Sequence, residues 1–254
     1  MRSKRLQFTG SLGYKLSGLL DLPDEGEPKA FGIFAHCFTC NKNYKILNHI
    51  DQVLTANQLA VLRFDFTGLG ASLGQFGTTN FSSNVNDILA AANFLTLNYD
   101  APQILIGHSF GGAAAILAAM KLPACRAVVT IATPADFASI RNLLLSHKAE
   151  LEQYGEAQYT ISGRQFVIQK QFLDDLERYD LKKSLADLHR PLLICHSVGD
   201  ELVPFAEAEA LFAAARQPKS LVSLDQADHL VSDEKHGEYA GKLIVAWASL
   251  YLKI

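Results

Sequence analysis

The chain has 254 residues, 49% of them hydrophobic, enough to bury a sizeable core. Its 23 Lys and Arg against 26 Asp and Glu give a net charge of -3. That balance carries no electrostatic footprint for nucleic acid and leaves a small neutral or weakly charged molecule as the expected partner.

Length alone fits one large domain or two small ones, and one is preferred because α/β folds often reach this size. After the basic start, Met1 to Arg5, the next residues read as a strand rather than the apolar core of an export signal. The longest mostly apolar stretches, such as 243–250, fall short of the roughly 20 residues that span a bilayer. A cytoplasmic protein with no membrane partner is expected, and a homodimer is compatible with it. Four cysteines are too few for a disulfide scaffold and suit a reducing compartment, so Cys125 and Cys195 read as buried thiols.

In chain order, 6–9 and 14–21 look like two strands joined through Gly10 to Gly13, an antiparallel hairpin at a sheet edge. The segment 24–29 is a surface turn. Apolar, β-rich runs then recur at 32–36, 60–66, 103–106, 127–132, 191–196 and 220–224, alternating with helical patterns. Such alternation predicts an α/β fold with a mostly parallel central sheet covered on both faces. Ser82 and Ser83 are plausible N-caps for a helix whose apolar face is Val85, Ile88, Leu89, Ala92 and Leu95. The last helix repeats the pattern with Leu243, Ile244, Trp247, Leu250 and Tyr251. Between the fourth and fifth runs lies a long polar gap, 136–190, with helical stretches and a β-favouring piece at 157–161, followed by Ser-Gly-Arg and then 165–168 (Gln-Phe-Val-Ile). Structureless loops of that length are uncommon, so the gap is expected to be a cap or lid over the substrate pocket, inserted into a single domain spanning 1–254.

Gly107-His-Ser109-Phe-Gly111 is a G-x-S-x-G pentapeptide between an apolar run and an alanine-rich helical stretch. A strand, turn and helix setting is what a nucleophile elbow requires, since glycines relieve the crowding of a sharp, strained turn that exposes the serine. Taken alone, the match competes with a glycine-rich turn carrying an idle serine. Asp200 follows the run 191–196, beyond the C-terminal end of a sheet strand where ligand sites of open α/β sheets lie. His229 follows the run 220–224 and precedes the last helix. The order Ser, Asp, His is the hydrolase order rather than either familiar protease order. By itself Asp200 reads as a helix cap and His229 as a surface histidine; jointly with Ser109 they read as a catalytic triad. Two backbone N–H groups must then face the developing oxyanion. Phe110, next to the nucleophile, is one candidate, and Phe38, after the first parallel strand, is the other.

The segments 34–40 (Phe-Ala-His-Cys-Phe-Thr-Cys), 63–70 (Arg-Phe-Asp-Phe-Thr-Gly-Leu-Gly), 80–84 (Asn-Phe-Ser-Ser-Asn) and 106–112 (Ile-Gly-His-Ser-Phe-Gly-Gly) resemble the α/β-hydrolase superfamily. More narrowly, they resemble the hydrolase half of bifunctional hydrolase/OsmC-type proteins, chiefly within the first 120 residues. The resemblance implies the α/β-hydrolase fold. It also implies an oxyanion donor from the segment after His36, where Cys37 stands in place of the usual glycine. Because the chain ends at Ile254, the thiol-bearing partner domain of those fusions, and its peroxidase activity, are not expected.

The chemistry so implied is acyl transfer to water: His229 takes the Ser109 proton, and Asp200 holds the imidazole tautomer and stabilises its charged form. No cofactor or metal is needed. An unperturbed histidine pKa of about 6.5 predicts activity rising with pH through neutrality. Glu201, Asp225, Asp228 and Asp136 compete with Asp200 as the acid. Cys37-Phe-Thr-Cys40 beside His36 also admits a metal or redox site, but no second Cys/His pair completes four ligands, and a loop bordering the active site is the preferred reading. Gly68-Leu-Gly70 with Gly74 lacks the spacing of a dinucleotide loop. The expected activity is that of a carboxylesterase on small esters. Peptidase, thioesterase, lactonase or carbon–carbon hydrolase chemistry on the same triad, or a hydrolase-fold binding protein without turnover, are the alternatives.

Overall fold

A computed structural model describes residues 1–254. Strands β1 (Arg2–Thr9) and β2 (Lys15–Leu22) form the expected hairpin. Then come β3 (Ala30–Ala35), helix α1 (Lys45–Ala56), β4 (Leu59–Phe64), α2 (Phe81–Asn98), β5 (Ile104–His108), α3 (Phe110–Ala119) and β6 (Ala127–Ile131). After a long excursion the chain resumes with β9 (Leu192–His196), α8 (Phe205–Ala214), β10 (Lys219–Ser223) and α9 (Glu234–Ala248). The eight strands form one sheet in the order β1-β2-β4-β3-β5-β6-β9-β10. Only the β1–β2 and β2–β4 pairings are antiparallel; the rest are parallel. This is the α/β-hydrolase fold, with helices on both faces of the sheet.

The five strands β3, β4, β5, β6 and β9 are buried along their whole length, which is why they read as continuous apolar runs rather than alternating ones. One face packs on α1 and α9 through Leu54, Ile106, Val129 and Ile244, and the other on α2, α3 and α8 through Leu62, Leu105, Ala114 and Leu211. After β3 the chain runs to β4 on one side and then returns to β5 on the other. The sheet therefore has a topological switch point between the C-terminal ends of β3 and β5, where ligand crevices of such folds open. No helix is long and apolar enough to cross a membrane.

The excursion between β6 and β9 has its own secondary structure: α4 (Ala138–Leu145), α5 (Lys148–Tyr154), the hairpin β7 (Glu156–Ile161) with β8 (Arg164–Gln169), α6 (Lys170–Leu176) and α7 (Leu181–Ala186). Its apolar side chains, Leu144, Tyr159, Ile168 and Phe172, merge with the core on the α2 and α3 face.

Three local expectations need correction. The N-cap of α2 is Asn80; Ser83 completes a capping box with it, and Ser82 turns to α6 instead. Helix α9 ends at Ala248, so Leu250 is exposed rather than part of the apolar face. Cys37 and Cys40 are bonded as a disulfide, whereas Cys125 and Cys195 are buried thiols, raised by burial to about 11 and about 12.

Candidate active site

Ser109 is the single residue between β5 and α3, with φ 52° and ψ −121°. A non-glycine residue there is strained, and the surroundings must over-determine it. They do so by close approach. A Cβ at Gly111 would strike the carbonyls of Ala35 and His36, one at Gly107 would strike the backbone of Gly111 and Gly112, and one at Gly112 the Thr133 side chain. The Ser109 N–H donates to the Ile131 carbonyl at 2.8 Å, tying the turn to β6.

The imidazole of His229, on the loop between β10 and α9, stands between Ser109 and Asp200. Its Nε2 is 3.1 Å from Ser109 Oγ and its Nδ1 is 2.8 Å from Asp200 Oδ2. The Asp200 carboxylate is buried, and its other oxygen accepts the N–H groups of Leu202 and Val203 at 2.9 and 2.8 Å. Burial pushes this carboxyl upward, but the bonds from His229, Val203 and Leu202 outweigh it and hold it below the ordinary range. Asp200 is therefore ionised at neutral pH. None of the four competing acids bonds the His229 ring: Asp136 accepts from Ala138 N–H, Asp228 accepts from Ser232, and Glu201 and Asp225 are exposed.

Phe38 follows β3, and its ring packs edge-on against that of Phe110, centroids 5.3 Å apart. Both residues, with Ser109 and His229, line a cavity of about 850 Å³. Ile140 and Leu143 of α4, Ile161 of β7, and Leu202, Val203 and Leu230 supply much of the apolar wall. Arg164, at the start of β8, donates to the Thr39 carbonyl at 3.1 Å. The excursion therefore contributes directly to the cavity. Because the Cys37 and Cys40 sulfurs are bonded to each other, neither is a thiolate ligand, and the pair forms part of the cavity wall.

Three further buried histidines bond backbone carbonyls. His36 Nδ1 bonds the Cys37 carbonyl, His108 Nε2 the His229 carbonyl, and His196 Nε2 the Val203 carbonyl, each at 2.8 Å. Burial drives all three downward, His36 to about 4 and His108 to about 3, so all are neutral near pH 7. Each stands at or just beyond the C-terminal end of a central strand. That position was the one available signal.

A family model described as Alpha/beta hydrolase family matches residues 33–242. The esterase domain of a Rhodothermus marinus protein superposes with a TM-score of 0.81 at 44% identity, covering 99% of this chain and 99% of that one. The uncharacterized protein YfhR of Salmonella typhi is 29% identical over 192 residues, 74% of this chain and 60% of the relative. The human mitochondrial palmitoyl-protein thioesterase ABHD10 is 29% identical over 153 residues, 58% of this chain and 49% of the relative. The matched region thus spans less than two thirds of the length of these two curated relatives.

Proposed function

Because the chain belongs to the Alpha/beta hydrolase family, we propose that it is a serine hydrolase acting through an acyl-enzyme, and specifically a carboxylic ester hydrolase on small esters. The observation that carries this reading is the hydrogen-bonded line from Ser109 Oγ through His229 to the ionised Asp200, opening on a largely apolar cavity.

In the proposed reaction Ser109 Oγ attacks the ester carbonyl as its proton passes to His229 Nε2. Asp200 keeps the proton of His229 on Nδ1 and offsets the charge of the imidazolium. The N–H groups of Phe38 and Phe110 are the proposed donors to the tetrahedral oxyanion. The imidazolium returns its proton to the departing alkoxide. Water, deprotonated by His229, then releases the acid and frees Ser109. The excursion at about 136–190 is the proposed lid, and its apolar residues Ile140, Leu143 and Ile161 would receive the hydrocarbon part of the substrate.

The similarity to a Rhodothermus marinus esterase domain supports the ester reading. A thioester substrate is the second reading, supported by the similarity to a palmitoyl-protein thioesterase. The narrower likeness to the hydrolase half of hydrolase/OsmC-type proteins and a cytoplasmic location belong to the same proposal.

A fluorophosphonate probe should label the wild-type protein at Ser109 and leave Ser109→Ala unlabelled. A panel of p-nitrophenyl esters and matched thioesters of increasing chain length should show turnover abolished by the same substitution. A folded wild-type protein that neither reacts with the probe nor turns over any ester would sink the reading and favour a binding protein.

A further inference from the structure

Immediately before the proposed nucleophile stands a histidine that the proposed reaction does not use. His108 ends β5, is 1% exposed and does not line the cavity. Its Nε2 lies 2.8 Å from the backbone carbonyl of His229, 121 residues away. A carbonyl only accepts, so Nε2 must carry the hydrogen. Burial first, and the neighbouring His229 second, push the ring down to about 3; Asp200 and His36 are the other groups that face it. Near neutral pH the ring is therefore uncharged, with a single N–H committed to His229.

The recipient of that bond lies outside the regular structure. His229 sits in the loop between β10 and α9, where Asp225 and Val231 both have positive φ. No backbone N–H donates to the His229 carbonyl. Asp200 grips the side chain at Nδ1, but a grip on the ring alone leaves the main chain free to shift under it. The ring of His108, 5.2 Å from that of His229 between centroids, supplies the second point of attachment.

We infer that His108 is a positioning residue, which ties the backbone of the general base to the strand that ends in the nucleophile and so maintains the 3.1 Å separation of Ser109 Oγ and His229 Nε2. This inference rests on the triad reading above. His108 and Ser109 are chain neighbours, so one rigid segment carries the attacking oxygen and also holds the base. The neutrality of the ring matters as well: a second imidazolium so close would oppose the positive charge that His229 takes up during turnover. Displacing a reacting pair by about 1 Å costs on the order of a hundredfold in rate, which sets the scale of the expected effect.

The test compares His108→Leu, which fills the space but donates nothing, with His108→Gln, whose carboxamide N–H can still reach the carbonyl. With a p-nitrophenyl ester, His108→Leu should lower kcat by about ten- to a hundredfold with KM within about twofold of wild type, because the ring is remote from the substrate wall. His108→Gln should recover kcat to within about fivefold of wild type. Wild-type kcat in His108→Leu, a loss carried by KM, or a glutamine variant as slow as the leucine one would each overturn the inference. Histidine-selective 15N NMR of the unaltered protein decides the matter even if a variant fails to fold. A neutral His108 with its proton on Nε2 from about pH 5 to about pH 8 is expected, and a charged ring or a proton on Nδ1 overturns it. Fluorophosphonate labelling of wild-type Ser109 separates a failure of this inference from a failure of the triad reading.

Discussion

Of the residues around the proposed nucleophile, Asp200 carries the clearest separable expectation. Replacing it with Asn keeps the shape and removes the charge that fixes the His229 tautomer. In a Ser-His-Asp template that substitution lowers kcat by about 10⁴ while the geometry stays intact. Asp200→Asn is accordingly expected to lose about three to four orders of magnitude in kcat, with little change in KM. Asp136→Asn should stay within about threefold of wild type, since Asp136 bonds only its own helix start, and ordinary surface changes are small. The opposite ranking in an esterase assay would reassign the acid. Ser109 and its flanking glycines could be read from the sequence because the elbow is a local device, with all its steric demands met inside a few residues and one adjacent strand. The role of His108 could not, because its partner lies 121 positions further along and the pentapeptide pattern leaves that position unspecified.

At the scale of elements, helix α2 shows how a cap can serve two purposes. Asn80 accepts the Ser83 N–H at 2.8 Å, while Ser83 Oγ accepts the Asn80 N–H at 2.9 Å. The same Asn80 donates through Nδ2 to Gln171, and Gln171 donates back to the Thr79 carbonyl. Next to it, the buried Asp175 accepts both the N–H and the hydroxyl of Ser82. The start of α2 is thus fastened to α6 of the excursion, whose Phe172 packs against Phe38 and Phe110. Asn80→Ala should lower stability by about 1–2 kcal/mol, or a fall in Tm of about 2–4 °C per kcal/mol in a chain of this size. Asn80→Asp keeps the cap oxygen and loses the donor to Gln171. Thermal melts that rank alanine and aspartate equally would show that the cap itself contributes nothing. The sequence pointed to Ser82 and Ser83 because hydroxyls cap helices; which polar residue caps and which faces α6 depends on where α6 lies.

For the whole molecule, the buried histidines make acid stability a sharp expectation. In the unfolded chain each imidazole takes up a proton near pH 6.5, whereas the folded protein resists until about 4 at His36 and about 3 at His108. His196 is shifted in the same direction. The unfolded state therefore binds more protons, so this stability is fully present above about pH 6.5 and falls as pH drops towards those folded values. Each group adds about 1.4 kcal/mol per pH unit to the slope. Asp200, held below its ordinary range, adds its own loss only at more acidic pH. Guanidinium midpoints taken between about pH 7.5 and about pH 5 should show the decline, and His108→Gln should make it shallower by one proton. Identical slopes in the two proteins would mean that His108 is charged in the fold.

Taken alone, the sequence determined the fold class, the antiparallel edge hairpin, the elbow and the residues worth testing as a triad. The physical reason is that fully buried parallel strands must read as apolar runs, and a strained turn must be flanked by glycine. The tertiary structure decided what depends on partners distant in the chain. Among the competing acids it is Asp200 that faces His229, and the cavity wall is completed by α4 and the β7–β8 hairpin. His108 is drawn onto the carbonyl of His229, 121 residues further along. Those contacts join segments whose local patterns carry no record of one another, so only the packed chain could bring them together.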